Sequence, residues 1–209
     1  MVTFTIEAIL AVLFVVVLMQ FFKKKPPEPR FPQPDLANLK ANDARTGDAI
    51  SVAGAGDSMS DLDYTVERTV WVQAGSHRWL ELSGHYRERR VVLRVANIED
   101  EMTVGLNDGS RKVTLDDLGL SENDLGEIDE RQNPSDNFEY DGKSWMYRLS
   151  REAQTSSDGG APPTSFYYWE FEEQDGKELV TIRKAEGEPF AVSRFNAIPP
   201  TDVTVYRKV

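Results

Sequence analysis

A chain of 209 residues with 40% hydrophobic and 10% aromatic side chains can build one domain with a core, so its 28% charged residues do not make it a disordered polymer. It contains no cysteine, which excludes disulfides, thiolate metal sites, cysteine nucleophiles and iron–sulfur chemistry. The net charge is −11; the first 34 residues carry four basic and two acidic side chains, so the remainder carries −13, a field that repels phosphate backbones and excludes nucleic acid as a natural partner.

The chain opens on an apolar run in which, from Val2 to Phe22, only Glu7 and Gln20 are strongly polar. Roughly 21 residues rising 1.5 Å each span about 31 Å, matching a bilayer core of about 30 Å. Residues 1–22 are therefore expected to form a single transmembrane helix. A cleaved signal peptide needs basic residues before the run and a small-x-small site after it, and the sequence has neither. Lys23, Lys24, Lys25 and Arg30 follow the run instead. Basic residues stay on the cytoplasmic side, so these four are the expected topology determinants. They put the N-terminus outside a bacterial inner membrane and the rest of the chain in the cytoplasm. Pro26, Pro27, Pro29, Pro32 and Pro34 favour extended polyproline II, which makes residues 23–38 a basic, proline-rich tether.

Residues 39–209 are the acidic, β-rich domain. A helical turn at Asp35–Leu39 leads in. Runs of β-branched and aromatic residues then predict strands over Ala49–Ala53, Tyr64–Gln73, Arg78–Leu82, Arg90–Val95, Thr103–Leu106 and Lys112–Leu115. A second set follows over Glu139–Tyr140, Ser144–Leu149, Phe166–Glu173, Leu179–Lys184, Phe190–Phe195 and Val203–Arg207. Asp141-Gly142 and Asp175-Gly176 lie where tight hairpin turns need positive φ, so neighbouring strands should pair antiparallel. One helix is expected over Ser121–Arg131, with Ser121 as N-cap and Asp124 completing a capping box. Thr155–Thr164 is small and polar and is expected to be a loop. In Trp79-Leu80-Glu81-Leu82 and Tyr168-Trp169-Glu170-Phe171-Glu172, acids alternate with large apolar residues, which predicts one face inward and one in water. The expected fold class is all-β, an antiparallel sandwich or open barrel with one short helix, behind the transmembrane helix.

No motif assigns a reaction. His77 and His85 lie near no Ser or Cys motif that would make either a catalytic base, and they are expected at the surface. The Asp57–Asp63 cluster lacks the glycine and closing glutamate of an EF-hand, and Gly54–Asp57 fits no phosphate-binding pattern. No catalytic, metal or cofactor-binding residue is therefore expected, and no cofactor. Trp71, Trp79, Trp145 and Trp169 are expected to build the core. Since consecutive strand residues face opposite sides, Tyr167, Tyr168 and Trp169 are the candidate partner surface.

Gly47-Asp48, Tyr64-Thr65-Val66, the Gly75–Leu82 hairpin, a second hairpin at Gly142–Leu149, Tyr168-Trp169-Glu170-Phe171, Asp175-Gly176-Lys177, Leu179–Arg183 and Ile198–Val203 occur in an order that resembles an uncharacterised bacterial family, domain of unknown function 4178. The acidic insert Asp116–Asn137 departs from that pattern. The resemblance implies an all-β bacterial module associated with membrane proteins, including phage-shock and envelope-stress systems, and it carries no active site. The expected function is a membrane-tethered protein-interaction module with another membrane or peripheral protein as partner. The alternative is a small-ligand, cation or polyamine binding domain, or an enzyme, with a site drawn from acids such as Glu81, Glu170 and Glu172.

Overall fold

The computed structural model describes residues 39–98, 100–157 and 162–207. The expected anchor at 1–22, the tether at 23–38 and the topology residues Lys23, Lys24, Lys25 and Arg30 lie outside them, as does most of the lead-in turn. Among the described residues no helix is long and apolar enough to cross a membrane.

The strands in chain order are β1 (Ala49–Val52), β2 (Leu62–Thr65), β3 (Arg68–Ala74), β4 (His77–Tyr86), β5 (Arg89–Ile98) and β6 (Glu101–Asn107), then β7 (Asn137–Tyr140), β8 (Lys143–Ser157), β9 (Thr164–Glu173), β10 (Glu178–Lys184), β11 (Ala191–Ile198) and β12 (Val203–Tyr206). Among the described residues one α-helix, α1 (Glu122–Arg131), lies between β6 and β7. Its capping box forms as the sequence predicts: the Asp124 amide donates to Ser121 Oγ at 3.2 Å, and the Ser121 amide donates to the Asp124 carboxylate at 2.7 Å.

Eight strands form a ring in the order β3-β4-β5-β6-β11-β10-β9-β8, and β8 closes it by pairing back onto β3, Val72 opposite Thr155. The described residues therefore form an all-β fold with one short helix, and the main sheet is a closed antiparallel barrel. The length of β8 makes closure possible. Its first residues pair with β7, Trp145 opposite Phe138, while its last residues pair with β3. Closure also explains why Thr155–Ser157 is strand where a loop is expected. These small polar residues form the seam, with Thr155 between Val72 of β3 and Thr164 of β9.

Two layers cover the outside of the ring. β1 pairs with β12 and β2 in a separate three-stranded sheet, and Ile50, Val52, Leu62 and Val205 cluster with Leu80, Leu82, Leu93 and Val95 of the barrel wall. The approach is close at Gly84, where a Cβ would stand 2.1 Å from the Thr65 carbonyl oxygen, so only glycine lets β4 lie against β2. The expected strand Tyr64–Gln73 is split for the same reason. Its first part belongs to the small sheet and its second to the barrel, and between them the Val66 and Glu67 amides donate to the carbonyls of Asp48 and Ser83. The second layer is α1 with β7, where Leu125, Ile128 and Phe138 pack with Trp145, Trp169 and Phe171.

Lys112–Leu115 does not form the expected strand. The Asp117 carboxylate accepts from the Thr114 amide at 2.8 Å and from its hydroxyl at 2.7 Å, a local turn that competes with sheet pairing and opens a 3-10 turn at Asp116–Leu118.

Candidate functional site

With both outer layers in place, the alternation on β4 and β9 works differently from the expected water-facing and core-facing split. Leu80 and Leu82 face the small sheet and Trp169 and Phe171 face α1 and β7, so Trp79, Glu81, Tyr168 and Glu170 are turned into the barrel. Glu81 and Glu170 are 12% and 14% exposed rather than solvated. Burying carboxylates without partners costs several kcal/mol each, and β5 and β10 supply the partners. Arg183 donates to Glu81, which also accepts from Trp79 Nε1 at 2.8 Å. Arg94 donates from Nη2 to Glu170 Oε2 at 2.7 Å, and the Tyr168 hydroxyl donates to the same oxygen at 2.5 Å.

Aromatic faces complete the network. The Arg94 guanidinium lies 4.7 Å from the Trp79 ring centre and that of Arg183 lies 5.1 Å from Phe166. Burial pushes the Glu81 carboxyl up, but the Arg183 guanidinium outweighs it and holds the group below the usual glutamate range. Burial likewise opposes the charge on Arg94 and Arg183, and their acidic neighbours overcome it. Tyr168 is raised well above an ordinary phenol, first by burial. At neutral pH the four buried ionic groups sum to zero charge, and Tyr168 is a neutral donor.

Above this network a cavity of about 380 Å³ opens at one end of the barrel, inside the usual range of ligand pockets, about 300–1,000 Å³. Arg94 and Glu170 line it together with Leu149, Leu179, Phe195 and Ala197. A β-bulge shapes its rim. Tyr147 faces outward opposite Phe171 and Leu149 faces inward opposite Glu170, so the register shifts between them. The shift sets Arg148 among the lining residues, where Nε donates to Glu172 at 2.6 Å. Thr181 Oγ and Arg94 Nε are buried without a hydrogen-bond partner among the described residues.

Of the candidate surface residues, Tyr167 and Trp169 share a face with ring centres 4.7 Å apart, and Tyr168 is turned away from them. Tyr168 faces the lumen. Tyr167 and Trp169 face outward but meet α1: the Tyr167 hydroxyl donates to Asp129 at 2.6 Å, and Trp169 Nε1 donates to the Leu125 carbonyl at 3.2 Å. Burial, with that hydrogen bond, pushes the Tyr167 phenol up to about 12. Alternation within the strand is as expected, but the packed lumen on one side and α1 with β7 on the other leave both Tyr168 and Trp169 buried. His77 lines the cavity rim, and His85 pairs through Nδ1 with Glu67 at 2.8 Å, exposed. Asp57 is tied to Arg87 and Arg89. Among the described residues no group of three or more His, Asp or Glu side chains could hold a metal.

Sequence reasoning picked out the acids but missed Arg94 and Arg183. A signal was present: Arg94 interrupts Val91-Val92-Leu93 and Val95, and Arg183 follows Val180-Thr181-Ile182. A charge inside an apolar strand marks a buried pairing when both faces of that strand are covered.

Comparison with curated proteins and with solved structures returns no match. The family comparison does, over residues 56–200, a span that contains all eight barrel strands and the cavity and leaves out β1 and β12. By that match the chain belongs to the family described as Domain of unknown function (DUF4178).

Proposed function

We propose that this protein is a membrane-tethered binding module whose barrel holds a small amphiphilic molecule, with no reaction performed on it. The observation that carries this reading is the open cavity of about 380 Å³ with apolar walls and a few convergent polar groups. The apolar run Val2–Phe22 and the basic residues behind it support placement at the inner membrane, where amphiphiles are concentrated. Ala197 is exposed at the cavity wall, so Ala197→Trp should occupy the space while sparing the core. Full-length protein in lipid nanodiscs is titrated with the neutral fluorophore N-phenyl-1-naphthylamine. Wild type should give a saturable signal that A197W lacks. Equal curves would mean that only the lipid binds the probe and would end the ligand reading.

The protein-interaction reading is favoured by one feature, the edge of the small sheet. Among the described strands β12 pairs only with β1, and Tyr206 on it is 59% exposed. An unpaired edge accepts a strand from a partner. A photo-crosslinking residue at position 206 in cells should yield one discrete adduct with a membrane or peripheral protein; a smear or no adduct removes this reading.

A further inference from the structure

The charge balance of the lumen restricts what the cavity can hold. Each carboxylate that lines it already has a cation: Glu170 has Arg94, Glu172 has Arg148, and Glu178 has Lys143 and Arg194. Below them Glu81 has Arg183. A carboxylate or ammonium group entering this space brings a charge without a counter-charge into a region of low dielectric, and such a group loses more hydration than it recovers.

Hydrogen-bond donors, in contrast, are in surplus. The Arg94 guanidinium has five N–H groups. Among the described residues its one hydrogen bond runs from Nη2 to Glu170, and its Nε is buried without a partner. An acceptor oxygen that brings no net charge takes a guanidinium N–H on the cavity side of Arg94 and preserves the balance. The apolar part of the wall, Leu149, Leu179, Phe195, Ala96 and Ala197, suits a hydrocarbon body.

We infer that the cavity takes an uncharged amphiphile, an aliphatic body carrying a carbonyl, ether or hydroxyl oxygen, with that oxygen turned toward Arg94. This rests on the ligand-binding reading above. Arg94 is the head-group contact and Glu170 its positioning residue, since the pair and the Tyr168 hydroxyl hold the guanidinium against Trp79. The oxygen accepts from Arg94, and the chain points to the open end of the barrel.

The test is displacement of N-phenyl-1-naphthylamine from the full-length protein in nanodiscs by three eight-carbon compounds: 2-octanone, octanoate and octylamine. A197W serves as the lipid background. 2-Octanone should displace the probe at a concentration at least tenfold below either charged compound. Arg94→Lys keeps the charge but removes the guanidinium fork, and should weaken 2-octanone about tenfold once the displacement is corrected for the probe affinity measured on the variant itself, the worth of one charge-assisted hydrogen bond. Octanoate or octylamine displacing as well as the ketone, or an R94K protein with undiminished ketone affinity, overturns the inference while leaving a ligand-binding barrel. Absence of any saturable probe signal overturns both.

Discussion

Arg183→Met should lower the unfolding free energy of the domain by about 3–5 kcal/mol, the range for stranding one member of a buried ion pair. The stranded group is Glu81, 12% exposed, which keeps among the described residues one hydrogen bond, from the Trp79 indole, and the more distant charge of Arg94, itself paired with Glu170. The double variant Glu81→Gln/Arg183→Met should recover most of that loss, because a neutral amide still accepts from Trp79 Nε1 and no charge remains to desolvate. Urea unfolding of the two variants, of E81Q and of wild type closes the cycle. A single-variant cost below about 1 kcal/mol, the level of an exposed pair, would show that water reaches the pair.

Acidification separates the same variants. In wild type the folded-state pKa of Glu81 lies below its unfolded value. Its contribution is thus complete above the ordinary glutamate range and is lost as pH falls through that range toward the depressed folded value. Without Arg183 the sign reverses. Burial then raises the carboxyl pKa, and the strain of a stranded anion is relieved when it takes up a proton. The stability gap between wild type and R183M should therefore narrow from pH 8 to pH 5, while the gap to the double variant stays level. A gap that widens on acidification would contradict the assignment.

What the sequence disclosed and what it hid divide along the range of the interactions. β1, β9, β10, β12 and the capped helix at Ser121 follow from local pattern, turn residues and side-chain-to-backbone bonds within a few residues. The closing pair β3–β8 joins residues about eighty apart, and nothing local in Thr155-Ser156-Ser157 announces it. The destination of the acids was hidden for the same reason. Alternation places Leu82 and Glu81 on opposite faces, but which face meets water depends on the small sheet assembled from the two ends of the domain. The Trp hairpins show this most directly. Trp79 and Trp145 sit in similar local sequences, yet the first faces the lumen against Tyr168 and the second faces outward under Phe138.

That second placement carries the other large expected effect. Trp145 is fully buried, its ring centre is 6.3 Å from that of Phe138 in near-parallel stacking, and its Nε1 donates to the Tyr140 carbonyl at 3.1 Å. It therefore fastens the short strand β7 to the barrel wall. Trp145→Ala should cost about 3–5 kcal/mol, combining lost transfer energy with the cavity left behind, whereas Trp145→Phe should keep much of the packing and lose mainly the indole hydrogen bond, about 1 kcal/mol. Chemical unfolding measures both, and a W145A cost below about 1 kcal/mol would mean that β7 is not held by this ring. The barrel wall separates Trp145 from the lumen. At denaturant-free concentrations where W145A remains folded, its titration with N-phenyl-1-naphthylamine should overlay that of wild type. A weakened titration in the folded variant would show that the outer layer and the lumen are coupled across β8, through the bulge that sets Leu149 and Arg148 at the cavity.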